Sequence, residues 1–118
     1  MAALIVSACE ATTYTALKNE VLELRVGGDQ LVCHVRNISA VQGLSFHYGT
    51  YDEGSDLRTT FRLIGDDYEI TIINPKAFSY DLSVYDMSAD GAARAHAMKA
   101  YEAFRGALVN QPLGGCVT

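Results

Sequence analysis

The sequence predicts an α+β domain: an antiparallel, strongly bent sheet or partly open barrel of five to seven strands, with one amphipathic helix at the C-terminal end. Three observations predict it. Apolar and polar residues alternate with a period of two through most of residues 20–85. Turn residues, chiefly glycine and aspartate, separate the alternating runs. Beyond Asp90 the apolar spacing lengthens to three and four, the period of a helix.

The chain has 118 residues, 49% of them apolar and 19% charged, with two prolines. That is the size and composition of one domain, residues 1–118, able to bury a single core. Residues 1–6 read as a first strand. Val6-Ser7-Ala8-Cys9 has the outline of a lipoprotein signal, but residues 1–6 carry no base and too short an apolar run for one. Residues 10–19 mix helix and strand formers and predict neither.

In residues 21–26, Leu22, Leu24 and Val26 share one face while Glu23 and Arg25 share the other. Gly27-Gly28-Asp29 follows as a turn. Leu31, Cys33 and Val35 resume the alternation with His34 and Arg36 outward, so residues 21–36 read as a hairpin. A third strand spans 43–50 with Leu44, Phe46 and Tyr48 inward, and the acidic loop 51–56 follows it. Strands at 57–64 and 68–73 form a second hairpin across Gly65-Asp66-Asp67. Asn74-Pro75 ends it, because proline cannot donate to a ladder. Residues 78–85 make a further, edge strand with Phe78, Tyr80, Leu82 and Val84 inward. Ala93, Ala97, Tyr101, Phe104 and Leu108 then mark the buried stripe of a helix over 90–108, capped by Ser88 or Asp90.

Consecutive antiparallel strands closed by a C-terminal helix resemble the pleckstrin-homology-like architecture over residues 20–108. Ligand-binding members of that superfold carry bases in the first hairpin loop. Gly27-Gly28-Asp29 has none, so the resemblance implies a protein-binding scaffold or oligomerisation module and no phosphoinositide ligand.

Charge is the strongest functional signal. Residues 51–90 hold nine acids against three bases, while the remainder of the chain sums to plus one within a net charge of −5. Such a segment repels phosphate and attracts basic surfaces, which excludes direct nucleic-acid binding as the expected role. Tyr51, in the acidic loop, and Tyr85, on a predicted outward face, lie beside these acids, and tyrosine is enriched in recognition surfaces. The candidate partner-binding residues are therefore Tyr51, Asp52, Glu53, Asp56, Asp66, Asp67, Asp81, Tyr85 and Asp86. The expected partner is a larger protein with a basic surface, such as a nucleic-acid-handling complex, with a homodimer left open. In general character, compact acidic proteins of this size resemble phage-encoded inhibitors of bacterial defence systems and the immunity proteins that neutralise nuclease toxins.

No C-x-x-C, H-E-x-x-H, G-x-S-x-G or glycine-rich phosphate loop occurs. Cys33 and His34 are adjacent, and neighbours on a strand face opposite ways, so no metal site or cofactor is expected there. Cys33 reads as a buried structural residue. Nucleophilic chemistry on His47 or a cysteine ranks below binding, and the expected protein is not an enzyme. Three widely spaced cysteines argue against a disulfide framework and for a reducing compartment, the cytoplasm by default. No apolar run reaches the roughly twenty residues needed to span a bilayer.

Overall fold

The structure is a computed structural model that describes residues 15–24, 28–53, 56–76, 78–110 and Cys116. Its elements are β1 (Lys18–Glu23), α1 (Gly28–Val41), β2 (Ser45–Glu53), β3 (Asp56–Ile64), β4 (Tyr68–Lys76), β5 (Ser79–Asp86) and α2 (Arg94–Asn110). The five strands form one antiparallel sheet in the order β1-β5-β4-β3-β2, and it does not close. Strands β2 to β5 run as a meander, and β1 adds itself beside the last of them through Lys18↔Val84 to Glu23↔Ser79.

One face of the sheet is apolar and carries the core. Phe61, Leu63, Ile70, Ile72, Tyr80, Leu82 and Val84 are buried there, as strand alternation predicts. Two helices cover it: α2 lies against β4 and β5, and α1 lies against β2 and α2. Their buried stripes are Leu31, Val35 and Ile38 on α1, and Ala97, Tyr101, Phe104 and Leu108 on α2. Each large side chain closed off in this way contributes about 1.5–3 kcal/mol. The α2 stripe matches the predicted one, although the helix begins at Arg94. Ahead of it, Ala92 N–H donates to Asp90 Oδ1 at 3.0 Å and Ala93 N–H to Ser88 Oγ at 3.3 Å.

The predicted opening hairpin is replaced by a strand and a helix. Residues 28–41 are helical because the apolar series Leu31, Val35, Ile38 continues at spacings of four and three. Over residues 31–35 alone, a period of two and a period of 3.6 both accommodate Leu31 and Val35, so alternation could not separate them. Gly43, expected within a strand, is instead the helix stop. It takes φ +72°, its N–H donates to Ala40 O at 3.3 Å, and Leu44 N–H donates to Ser39 O at 2.9 Å, the paired bonds of a Schellman end with buried Leu44 completing it. The strands are therefore not all consecutive, and a second helix joins the C-terminal one.

Four further expectations change. His34 is buried rather than outward, with Nε2 3.2 Å from Leu108 O. Strand β5 is interior, between β4 and β1. Strand β4 continues past Pro75 to Lys76, accommodating it with a register shift between Ile73 and Lys76. Finally, Cys33 and Cys116 form a disulfide with a Cα–Cα distance of 5.6 Å across 83 residues of sequence. Separation along a chain says nothing about approach in space, and an odd count excludes a full framework without excluding one bridge. Disulfides persist in oxidising compartments, so the ground for expecting cytoplasm goes with the free thiols. No helix among the described residues is long and apolar enough to cross a membrane. The expected strand at 1–6 and Cys9 lie outside the described residues.

Candidate functional site

The nine candidate residues fall in three places. Tyr51, Asp52, Glu53 and Asp56 belong to an arm. Strands β2 and β3 stay paired from Ser45↔Ile64 to Glu53↔Asp56, but β4 pairs with β3 only from Thr60 to Ile64. The four rungs from Thr59 to Asp56 therefore run on as a two-stranded ribbon past the end of the β3–β4 pairing, about 14 Å at ~3.4 Å per residue. Three acids against Arg58 give the ribbon a net negative end. In its last rung Glu53 stands opposite Asp56, and like charges directly opposed cost about 0.2–1 kcal/mol.

Asp66, Asp67 and Asp86 gather at the other end of the sheet. From Leu57, opposite Asp52, to Ile64 beside that turn is seven residues, about 24 Å of strand. The screening length at physiological salt is about 8 Å, so the two groups act as separate sources of field. The residues at this far end have structural work. Asp86 Oδ1 accepts from Ser88 N at 2.8 Å and from the Ser88 hydroxyl, and these bonds hold its carboxyl below the usual range. The Gly65 turn is closed by Gly65 N–H to Tyr68 O at 2.9 Å, and Met87 N–H donates to Asp67 O at 2.8 Å. Burial, then the nearby Asp66 carboxylate, pushes the Tyr68 phenol above its ordinary value.

Asp81 and Tyr85 lie on the sheet face away from the helices. Asp81 accepts from Asn19 Nδ2, which also reaches Ser83 Oγ at 2.7 Å. Tyr85 is half-buried opposite Glu69, whose carboxylate takes two bonds from Arg62 at 3.0 and 3.1 Å. The predicted acidic face is thus an arm, an opposite end and two outer-face residues.

No family model matches the chain, and no curated protein or solved structure matches it significantly.

Two further arrangements lie outside the nine candidate residues. Glu20, on the inner face of β1, accepts from the Tyr101 hydroxyl and from Arg105 Nε at 2.9 Å, while Lys18 Nζ lies 3.2 Å from Glu102. The Tyr101 bond, more than the Arg105 one, lowers the Glu20 carboxyl, and burial followed by Glu20 raises the Tyr101 phenol. A signal did exist, since Lys18 and Glu20 share the strand parity of Leu22. The second arrangement is a hollow over Gly49, bounded by His47, Tyr48, Thr50, Thr60 and Arg62. As for chemistry, Cys33 and Cys116 are both spent in the disulfide, and His34, His47 and His96 stand on three different elements. Among the described residues no group of three or more His, Cys, Asp or Glu could hold a metal ion.

Proposed function

We propose that this chain is a small, non-enzymatic binding protein that docks the acidic end of its β2–β3 arm on a basic surface of a larger protein, with inhibition as the consequence. The ribbon carrying Asp52, Glu53 and Asp56, which continues past its pairing with β4, supports this best. An isolated two-stranded ribbon is marginal in water, and its opposed Glu53 and Asp56 make it more so. Both deficits are relieved when lysine or arginine side chains of a partner meet the tip. A partner that handles nucleic acid has such a surface, and the phage-encoded inhibitors of bacterial defence and the toxin-neutralising immunity proteins share the logic of opposite charge. Steering of this kind acts chiefly on association rate.

The test separates the arm from the opposite end. Asp52→Asn, Glu53→Gln and Asp56→Asn together abolish capture of a basic partner from lysate of the native host, whereas Asp66→Asn with Asp67→Asn leaves it intact. Equal loss from both variants, or from neither, counts against the arm.

A second reading, an oligomerisation or scaffold module, is favoured by one observation: β2 is a nine-residue edge strand, hydrogen-bonded on one side alone among the described residues.

A further inference from the structure

The two edges of the sheet are guarded differently. Strand β1 is six residues long and turns Lys18 and Glu20 inward, a device that discourages pairing with another chain. Strand β2 is nine residues long, has no proline or lysine, and pairs with β3 without a register break. An edge so long and regular is a template for a further strand.

Gly49, near the centre of β2, has no reason among the described residues to be glycine. Its φ is not positive, and a Cβ placed there meets nothing within 4 Å. Glycine inside a strand weakens it and commonly marks a place where another backbone or a bulky group comes close. The hollow bounded by His47, Tyr48, Thr50, Thr60 and Arg62 lies over this same residue. Tyr48, on the inner face, leaves half its surface exposed.

The sequence of β2 is complementary to itself. His47 lies toward its start, with Arg36 over the Phe46 ring at 5.3 Å and Arg62 opposite His47 in the ladder, whereas Asp52 and Glu53 lie at its end. We propose that two copies of this chain pair antiparallel through β2 about a twofold axis at Thr50, making one continuous ten-stranded sheet. In this register His47 stands opposite the other copy's Glu53, Gly49 opposite its Tyr51, and Tyr48 opposite its Asp52. By strand alternation positions 47, 49, 51 and 53 share a face, so an aromatic residue covers each glycine and an acid meets each histidine. The twofold makes every such contact twice. A shift of two residues, centring the axis on Gly49, pairs glycine with glycine and moves each Tyr51 from the other copy's Gly49 to its His47.

The register is tested directly by crosslinking. At the axis the two Thr50 Cα atoms come within about 4.5–5.5 Å, inside the range a disulfide spans. In a Cys9→Ser background, Thr50→Cys forms a covalent dimer under mild oxidation, while Tyr48→Cys, offset by four residues from its own copy, does not. Light scattering across concentration on the full chain supplies the second measurement. The wild type doubles in mass, Glu53→Lys weakens association about tenfold, and His47→Glu with Glu53→Lys restores it. A Val21→Lys change on the β1 edge has no effect. A wild type that stays monomeric up to about 1 mM, a dimer indifferent to Glu53→Lys, or a Tyr48→Cys variant that crosslinks as readily as Thr50→Cys overturns the pairing. Mass and crosslinking read this pairing alone. A monomer that still captures a basic partner removes only the dimer, and a dimer that captures none removes only the docking function.

Discussion

The Tyr101 hydroxyl donates to Glu20 Oε1 across 81 residues of sequence, tying the middle of α2 to the edge strand β1. Tyr101 is fully buried, so its hydroxyl has to find a partner, and the carboxylate it finds is shared with Arg105. Glu20 thereby serves as an inward charge that guards an edge and as the acceptor that satisfies the core. Tyr101→Phe is expected to lower stability by about 1.5–3 kcal/mol in urea denaturation at pH 7.

The same pair predicts a pH dependence. Glu20 has its folded-state pKa lowered, first by Tyr101, so its contribution is present above the unfolded value near 4.5 and is lost as pH falls through the folded value. The stability gap between wild type and Tyr101→Phe therefore narrows below pH 4.5. Asp86, held low by Ser88, adds to the acid limb in both proteins equally. A gap that stays constant from pH 7 to pH 3 contradicts the assignment.

Two glycines predict opposite outcomes. A Cβ on Gly65 collides with the Tyr68 ring, which is itself buried and edge-on to His96 at 5.3 Å. Gly65→Ala is expected to cost about 1–3 kcal/mol through forced repacking. Gly106 lies within α2 and an added Cβ there meets nothing within 4 Å. Gly106→Ala is expected to stabilise by about 0.5–1 kcal/mol. Denaturation midpoints of the two variants measure both signs.

The bridge between Cys33 and Cys116 closes a long loop and ties the C-terminal end to α1, where Asn37 Nδ2 lies 3.3 Å from Cys116 Sγ. Its removal by Cys33→Ser with Cys116→Ser is expected to lower stability by about 2–4 kcal/mol. Thiol titration of the unreduced, denatured protein finds one free cysteine if the bridge is present and three if it is not.

Much of the fold was legible where alternation ran long enough to be tested against its rival. The strand stretches 45–50, 57–64, 68–73 and 79–85 and the helix stripe Ala97, Tyr101, Phe104, Leu108 follow directly from their periods, whereas residues 51–53 and Asp56, expected in an acidic loop, belong to β2 and β3. Residues 28–41 did not, because Leu31 and Val35 fit either period and Ile38, which decides between them, lies past residue 36. Gly43 looked like the start of a strand when its role depended on a positive φ that spacing does not reveal. Phe78 is similar. Alternation placed it inward, yet at φ +63° in the turn before β5 it is half exposed. The pairing of β1 with β5 and the meeting of Cys33 with Cys116 are long-range events, and no local pattern encodes them.

For the candidate site, composition identified the acidic segment but could not divide it. Asp52, Glu53 and Asp56 stand at one end of the sheet and Asp66, Asp67 and Asp86 at the other, because β3 carries the chain from one end to the other. That division underlies the role proposed for the arm.

The most direct measurement of that role is the association rate of the captured partner with the purified chain, followed by surface plasmon resonance from about 0.05 to 0.5 M salt. If the arm steers docking, the association rate falls at least tenfold over this range while dissociation changes little, and the Asp52→Asn, Glu53→Gln, Asp56→Asn variant starts slow and shows no such slope. An association rate indifferent to salt, or a salt slope that survives neutralisation of the arm, contradicts the proposed function.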